Sequence, residues 1–163
     1  MTAASRSGGS GAFSDATRNR NGLVPRPARA PDATCVHRGV TEAGGTHRFA
    51  EERGHPVFPV QLPSTSVSLS VGLLAPSAAT SNHRHAYESL VYVLEGEGHT
   101  VMEGSTYAWR AGDAIYTPPW CWHQHVASSA GPVRYLTATN MPLLEAVGQT
   151  VLREEEPSSQ ATT

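Results

Sequence analysis

The chain has 163 residues, with 12 Lys and Arg against 14 Asp and Glu, a net charge of −2 with neutral histidine. That length suffices for one domain with a sizeable core, and the charge offers no basic surplus for nucleic acid or an anionic membrane surface. No run of about 18 apolar residues could cross a bilayer. Two distant cysteines, Cys35 and Cys121, make no disulfide framework. Together with an N-terminus lacking an apolar signal core, they predict a cytoplasmic protein.

Residues 1–35 are rich in Ser, Gly, Ala, Pro and Arg, and predict a disordered or loosely docked arm. Residues 36–152 form the expected folded body, and residues 153–163 a flexible tail. Within the body, short β-prone runs alternate with turn residues. "SVSLSVGLLA" alternates and then runs apolar. "SLVYVLEG" is a strand closing on Gly96. "GHTVMEGSTYAW" reads as two strands around Glu103-Gly104. "GDAIYTPP" is a strand stopped by Pro118 and Pro119. "HQHVASSAGPVRYLTATN" holds two more around Gly131-Pro132. "PLLEAVGQTVLREEE", residues 142–156, has helical spacing, with Pro142 in the first turn and Leu143, Val147 and Val151 recurring. The pattern predicts an all-β sandwich or barrel with a C-terminal helix.

Histidine is the conspicuous residue: the chain has 8, and four fall in two short clusters. In "NHRHAYESLVYVLEG", His83 and His85 share one face of a strand. Pointed into a barrel, two bare imidazoles are costly unless a metal or a hydrogen-bond partner offsets the cost. In "RAGDAIYTPPWCWHQH", His123 and His125 form a second His-x-His pair. An antiparallel neighbour would bring His123 opposite His83 and His85. Three imidazoles converging in this way suit Fe(II), Mn(II), Ni(II) or catalytic Zn(II). Tyr87, Ser89 and Val91 share the inward parity. Cys121 and His125 share that of His123, which makes His125 a candidate proton carrier. His37, His47, His55 and His99 lack metal spacing and read as surface or loop residues.

The blocks "SNHRHAYESLVYVLEGEGHTVMEG" and "AGDAIYTPPWCWHQH" resemble the two signature motifs of the cupin superfamily. The resemblance implies a double-stranded β-helix, or jelly-roll, barrel. It carries the metal ligands over to His83, His85 and His123. The fourth usual cupin ligand is a glutamate, for which Glu88 is the candidate. Its parity points outward unless a bulge shifts the register, so a three-histidine site is favoured. Among cupins the pattern is most similar to gentisate and salicylate 1,2-dioxygenases, which share a three-histidine Fe(II) site, an "HRH" first motif and a "W-H-x-H" second motif. Here these are His83-Arg84-His85 and Trp122-His123-Gln124-His125. The "L-D-x-P-L" run of those enzymes reads Thr139-Asn140-Met141-Pro142-Leu143. Three departures stand beside the match. Those enzymes usually have two cupin domains per chain. Their carboxylate-holding arginine falls on Val91, and the aspartate of that run is Asn140.

The expected function is an Fe(II) dioxygenase acting on a small aromatic or enolic metabolite with O2. Catalysis is expected of His125, and substrate contact of Tyr87, Val91 and Cys121. The alternative is a lyase, isomerase or cyclase using Zn, Mn or Ni as Lewis acid. The third reading is a non-catalytic ligand-binding module. No nucleic-acid or membrane partner is expected. The outward Leu90, Tyr92 and Leu94 suit a homodimer.

Overall fold

The computed structural model describes residues 35–41, 50 and 53–156. The predicted N-terminal arm lies outside them except for Cys35, which is exposed, and so do His47 and residues 157–163 of the predicted tail.

Among the described residues, ten strands build two five-stranded antiparallel sheets. The first contains β1 (Val57–Pro59), β2 (Ser68–Leu74), β4 (Ser89–Glu95), β7 (Ala114–Thr117) and β9 (Val133–Thr139), in the order β1-β2-β9-β4-β7. The second contains β3 (His83–His85), β5 (Glu97–Met102), β6 (Ser105–Arg110), β8 (His123–Ala127) and β10 (Arg153–Glu155), in the order β10-β3-β8-β5-β6. Each sheet interleaves strands from both ends of the body, which is the jelly-roll arrangement the motifs imply. Among the described residues no helix is long and apolar enough to span a membrane.

The alternation in the sequence sets the facing of each strand. On β4, Ser89, Val91 and Val93 are buried while Leu90, Tyr92 and Leu94 are exposed. On β8, His123, His125 and Ala127 are buried. Leu74, Val93, Trp109, Ile115, Ala127 and Val133 join in one apolar cluster drawn from both sheets. Toward the other ends of β4 and β8, Ser89, His123 and His125 line a cavity, and Val91, which also belongs to the cluster, lies at its border. The two sheets therefore enclose an apolar core at one end and a histidine-lined cavity at the other.

Two features at the C-terminal end depart from expectation. The helix, α1, covers only Met141–Ala146. Gly148 follows with φ of 76°, a left-handed residue that ends a helix cheaply because it lacks a Cβ. Leu143 and Val147 are exposed, so their helical spacing buries nothing. The second departure is β10. Residues 153–155, expected in a flexible tail, pair with β3, with Arg153 opposite His85 and Glu155 opposite His83. Arg84 and Glu154 meet on the opposite face at 2.7 Å.

Candidate metal centre

His83 and His85 project from the same face of β3, and His123 of β8 is the direct cross-strand partner of His83. The ring centroids stand 4.1 Å apart for His83 and His123, 4.9 Å for His85 and His123, and 5.7 Å for His83 and His85. One nitrogen from each of the three lies within 4.8 Å of the other two. All three residues are buried.

The second nitrogen of each ring has a partner of fixed role. Nδ1 of His83 meets the Ser81 carbonyl at 2.8 Å, Nδ1 of His85 the Tyr87 carbonyl at 2.6 Å, and Nδ1 of His123 the Cys121 carbonyl at 2.8 Å. A carbonyl only accepts, so Nδ1 carries the hydrogen in all three rings. Each Nε2 is left with a bare lone pair, and the three lone pairs converge.

Protonation does not relieve this crowding at neutral pH. Burial pushes the His85 imidazolium down to about 4, and the neighbouring His123 pushes the same way. Burial followed by His123 takes His83 far below the ordinary histidine range, and burial also lowers His123. Three neutral imidazoles oriented by backbone carbonyls are a donor set of the kind that can hold a divalent metal. The residues present fit such an ion.

His125 is buried beside this cluster, its ring centroid 5.6 Å from that of His123. It lies directly opposite Thr100 in the β5–β8 ladder. Its Nδ1 is 2.7 Å from Thr100 Oγ1, which also accepts the Trp109 Nε1 hydrogen at 2.8 Å. Thr100 is wholly buried and meets no other acceptor among the described residues, so its hydroxyl proton is assigned to His125 Nδ1. The ring hydrogen of His125 therefore sits on Nε2. Burial, with His123 next, lowers the His125 imidazolium to about 3, so this ring is a neutral donor at pH 7.

The remaining candidates divide. Tyr87 lies flat on His85, with centroids 4.0 Å apart and planes 4° apart, and it lines the cavity together with Val91. Glu88 is not brought to the cluster, as its parity requires. Its carboxylate takes hydrogen bonds from Asn140 Nδ2 and Tyr116 Oη, each at 3.2 Å. Cys121 does not line the cavity. Its thiol turns to the Trp122 carbonyl at 3.7 Å, and it is the Cys121 carbonyl that serves the site.

Four cavity residues escaped the sequence reading. His55, read as a surface residue, accepts the Tyr135 hydroxyl on Nε2 at 2.6 Å while its Nδ1 donates to the Arg53 carbonyl at 2.8 Å. The Tyr135 ring passes over Gly72, its cross-strand partner, where a Cβ would overlap the ring tip. Parity along β9 carried a signal for Tyr135, since it falls in step with Val133 and Thr137. Arg53 and Arg153 also line the cavity, and no sequence pattern marks either.

Comparison with known proteins fits this geometry. The cupin domain family model matches residues 70–139. The chain is 33% identical over 125 residues to a gentisate 1,2-dioxygenase from a Streptomyces species, covering 75% of this chain and 33% of that protein. It is 30% identical over 90 residues to a 5-aminosalicylate 1,2-dioxygenase from a Comamonas species, covering 55% and 23%. Among solved structures, a salicylate 1,2-dioxygenase variant from Pseudoaminobacter salicylatoxidans in complex with gentisate superposes with a TM-score of 0.62 at 19% identity, over 100% of this chain and 53% of that one. A cupin-2 domain from Rhodospirillum rubrum superposes with a TM-score of 0.54 at 19% identity, over 65% and 68%. The chain thus contains a cupin domain. It is similar in sequence to ring-cleaving dioxygenases of the gentisate and salicylate kind, and spans 23% and 33% of the length of the two curated relatives described.

Proposed function

We propose that this cupin domain is an Fe(II)-dependent dioxygenase acting on a small aromatic or enolic metabolite. The observation that carries the reading is the convergence of three bare Nε2 lone pairs from His83, His85 and His123. They stand on the wall of a cavity of about 250 Å³, at the small end of small-molecule sites. The dioxygenase relatives supply the reaction class.

Iron held on those nitrogens would supply the redox chemistry that joins substrate to O2. The chain's own groups do the rest. Stacking against Tyr87 holds the His85 ring in its plane. Val91 presents an apolar wall to a flat substrate. His125 offers its Nε2 hydrogen as a hydrogen bond to a substrate oxygen and so orients it. Burial keeps bulk water from competing. A homodimer in the cytoplasm, joined through the outer face of Leu90, Tyr92 and Leu94, completes the reading.

The test is anaerobic loading with Fe(II), followed by nitric oxide and then by an oxygen-electrode screen of phenolic and enolic acids. The expected results are a high-spin iron–nitrosyl signal and substrate-dependent oxygen uptake, both lost in His123→Ala. Turnover without oxygen, sustained by Zn(II), would transfer the domain to the Lewis-acid reading. Val91 favours that second reading, because it stands where the dioxygenases carry the arginine that grips a carboxylate.

A further inference from the structure

The face of β3 turned away from the cavity carries a second cluster. His83 and His85 are buried, and Arg84 between them points outward. Its guanidinium lies over two indoles, 4.5 Å from the Trp120 ring centroid and 4.7 Å from that of Trp122. Both distances fall inside the reach of a cation–π attraction. The same group is tied to Glu154 of β10, with Nε at 2.8 Å and Nη2 at 2.7 Å from one carboxylate oxygen. The Arg84 side chain is 28% exposed, so water screens these contacts only in part. Arg84 thus gathers three segments: β3, β10 and the link between β7 and β8, residues 118–122.

That link carries the Cys121 carbonyl, which accepts the His123 Nδ1 hydrogen at 2.8 Å and so orients the ring. Its backbone is strained. Trp120 has φ of 63°, a left-handed conformation that a bulky residue keeps only where its surroundings impose it. The Trp120 N–H donates to the His85 carbonyl at 2.7 Å. Trp122 donates its N–H to the Glu103 carboxylate at 2.8 Å and accepts the Glu103 N–H at 3.0 Å. These bonds hold the link's backbone, and the Arg84 stack adds a side-chain clamp from β3. The clamp matters because the β3–β8 ladder has one residue pair, His83 with His123.

We infer that Arg84 is a positioning residue of the histidine cluster: stacked on Trp120 and Trp122, it holds the 118–122 link against β3 and so keeps the Cys121 carbonyl on His123 Nδ1. It acts from the outer face of the sheet and touches nothing in the cavity. A link released from Arg84 can relax its left-handed turn, carry the carbonyl away and free the His123 ring to rotate. Loss of the groups that orient a ligating histidine weakens metal binding about 10–100-fold. The inference rests on the functional reading given above for the metal, and on the hydrogen bonds alone for the His123 ring.

The test measures two quantities on the full chain. The first needs no metal: nitrogen-15 NMR of the metal-free protein follows the His123 Nδ1 proton and its exchange with water. The second is the dissociation constant for Zn(II), by competition with a coloured chelator. The wild type should show a slowly exchanging Nδ1 proton. Arg84→Gln should speed that exchange and weaken Zn(II) binding, each about tenfold or more. Arg84→Lys keeps the charge but loses the flat stacking face, so it should show the same changes to a smaller degree, and it serves if Arg84→Gln fails to fold. Glycine adopts positive φ without strain, so in a Trp120→Gly background the Arg84→Gln effects should shrink. A merely structural Arg84 would lower the urea midpoint of the metal-free protein and leave proton exchange and Zn(II) affinity at wild-type values, which would overturn the inference. An Nδ1 proton that exchanges freely in the wild type, or weakened Zn(II) binding with unchanged exchange in Arg84→Gln, would overturn it as well. Faster exchange in Arg84→Gln with no Zn(II) binding by any form upholds Arg84 and removes only the metal.

Discussion

Thr100→Val is the substitution whose effect follows most directly from the site's internal wiring. Thr100 is wholly buried, at 0% exposure. It accepts from Trp109 and donates to His125 through a single oxygen. Valine has nearly the same shape, so no cavity opens, and the change is confined to polar pairing. It leaves one buried N–H on Trp109 and one buried nitrogen on His125 without their partner. Each such group costs about 1–3 kcal/mol, so the pair should cost roughly 2–6 kcal/mol. For an ordered body of about 100 residues, 1 kcal/mol corresponds to about 4–8 °C in Tm, so the expected fall is at least about 8 °C. Urea denaturation followed by tryptophan fluorescence measures it, with a lower midpoint at an unchanged slope. Thr100→Ser keeps the hydroxyl and should recover most of the loss. In a His125→Phe background the Thr100→Val cost should shrink, because one of the two orphaned groups is gone. A loss below about 0.5 kcal/mol would refute the hydrogen-bond chain and, with it, the Nε2–H assignment of His125.

Other outcomes follow from the same structure. Gly72→Ala places a methyl against the Tyr135 ring tip, so the ring must leave His55. We expect a loss of about 1–3 kcal/mol, with Tyr135→Phe reproducing the part due to the hydrogen bond. His85 and His125, lowered by burial to about 4 and about 3, bind protons more readily when unfolded. Stability of the metal-free protein should therefore be full above about pH 6.5, the unfolded value, and fall as pH drops through the window down to the folded values. Each of these residues contributes about 1.4 kcal/mol per pH unit in that window. A urea midpoint that stays flat between about pH 7 and 5 would contradict their neutral burial. Divalent metal should raise Tm in the wild type, and chelation should reverse the gain. His99→Ala, on β5 and outside the cluster, should leave that gain intact.

The sequence and the structure meet where the two-residue period of a strand governs. The spacings His83-x-His85 and Tyr87-x-Ser89-x-Val91 put the right side chains inside, and the observed burial of β3 and β4 follows them. His123 opposite His83 follows from antiparallel pairing of two motif strands. What remained hidden depends on tertiary pairing. β10 has three residues, two of them acidic, and neither apolar alternation nor propensity marks it as a strand. Its pairing with β3 brings Arg153 into the cavity. The 142–156 segment shows how spacing can mislead: Leu143 and Val147 recur at helical intervals, but no face of α1 is buried and the chain turns at Gly148. His55 reads as an ordinary loop residue because its partner, Tyr135, is 80 positions away.

The central claim is that His83, His85 and His123 hold a metal ion through Nε2. Its most direct test is the metal content of untagged protein purified without added metal, measured by plasma mass spectrometry beside folded His83→Ala and His123→Ala. The account predicts iron at close to one ion per chain in the wild type and its loss in both variants. A wild-type protein that is folded, metal-free and unable to take up Fe(II) or another divalent ion on reconstitution would contradict it.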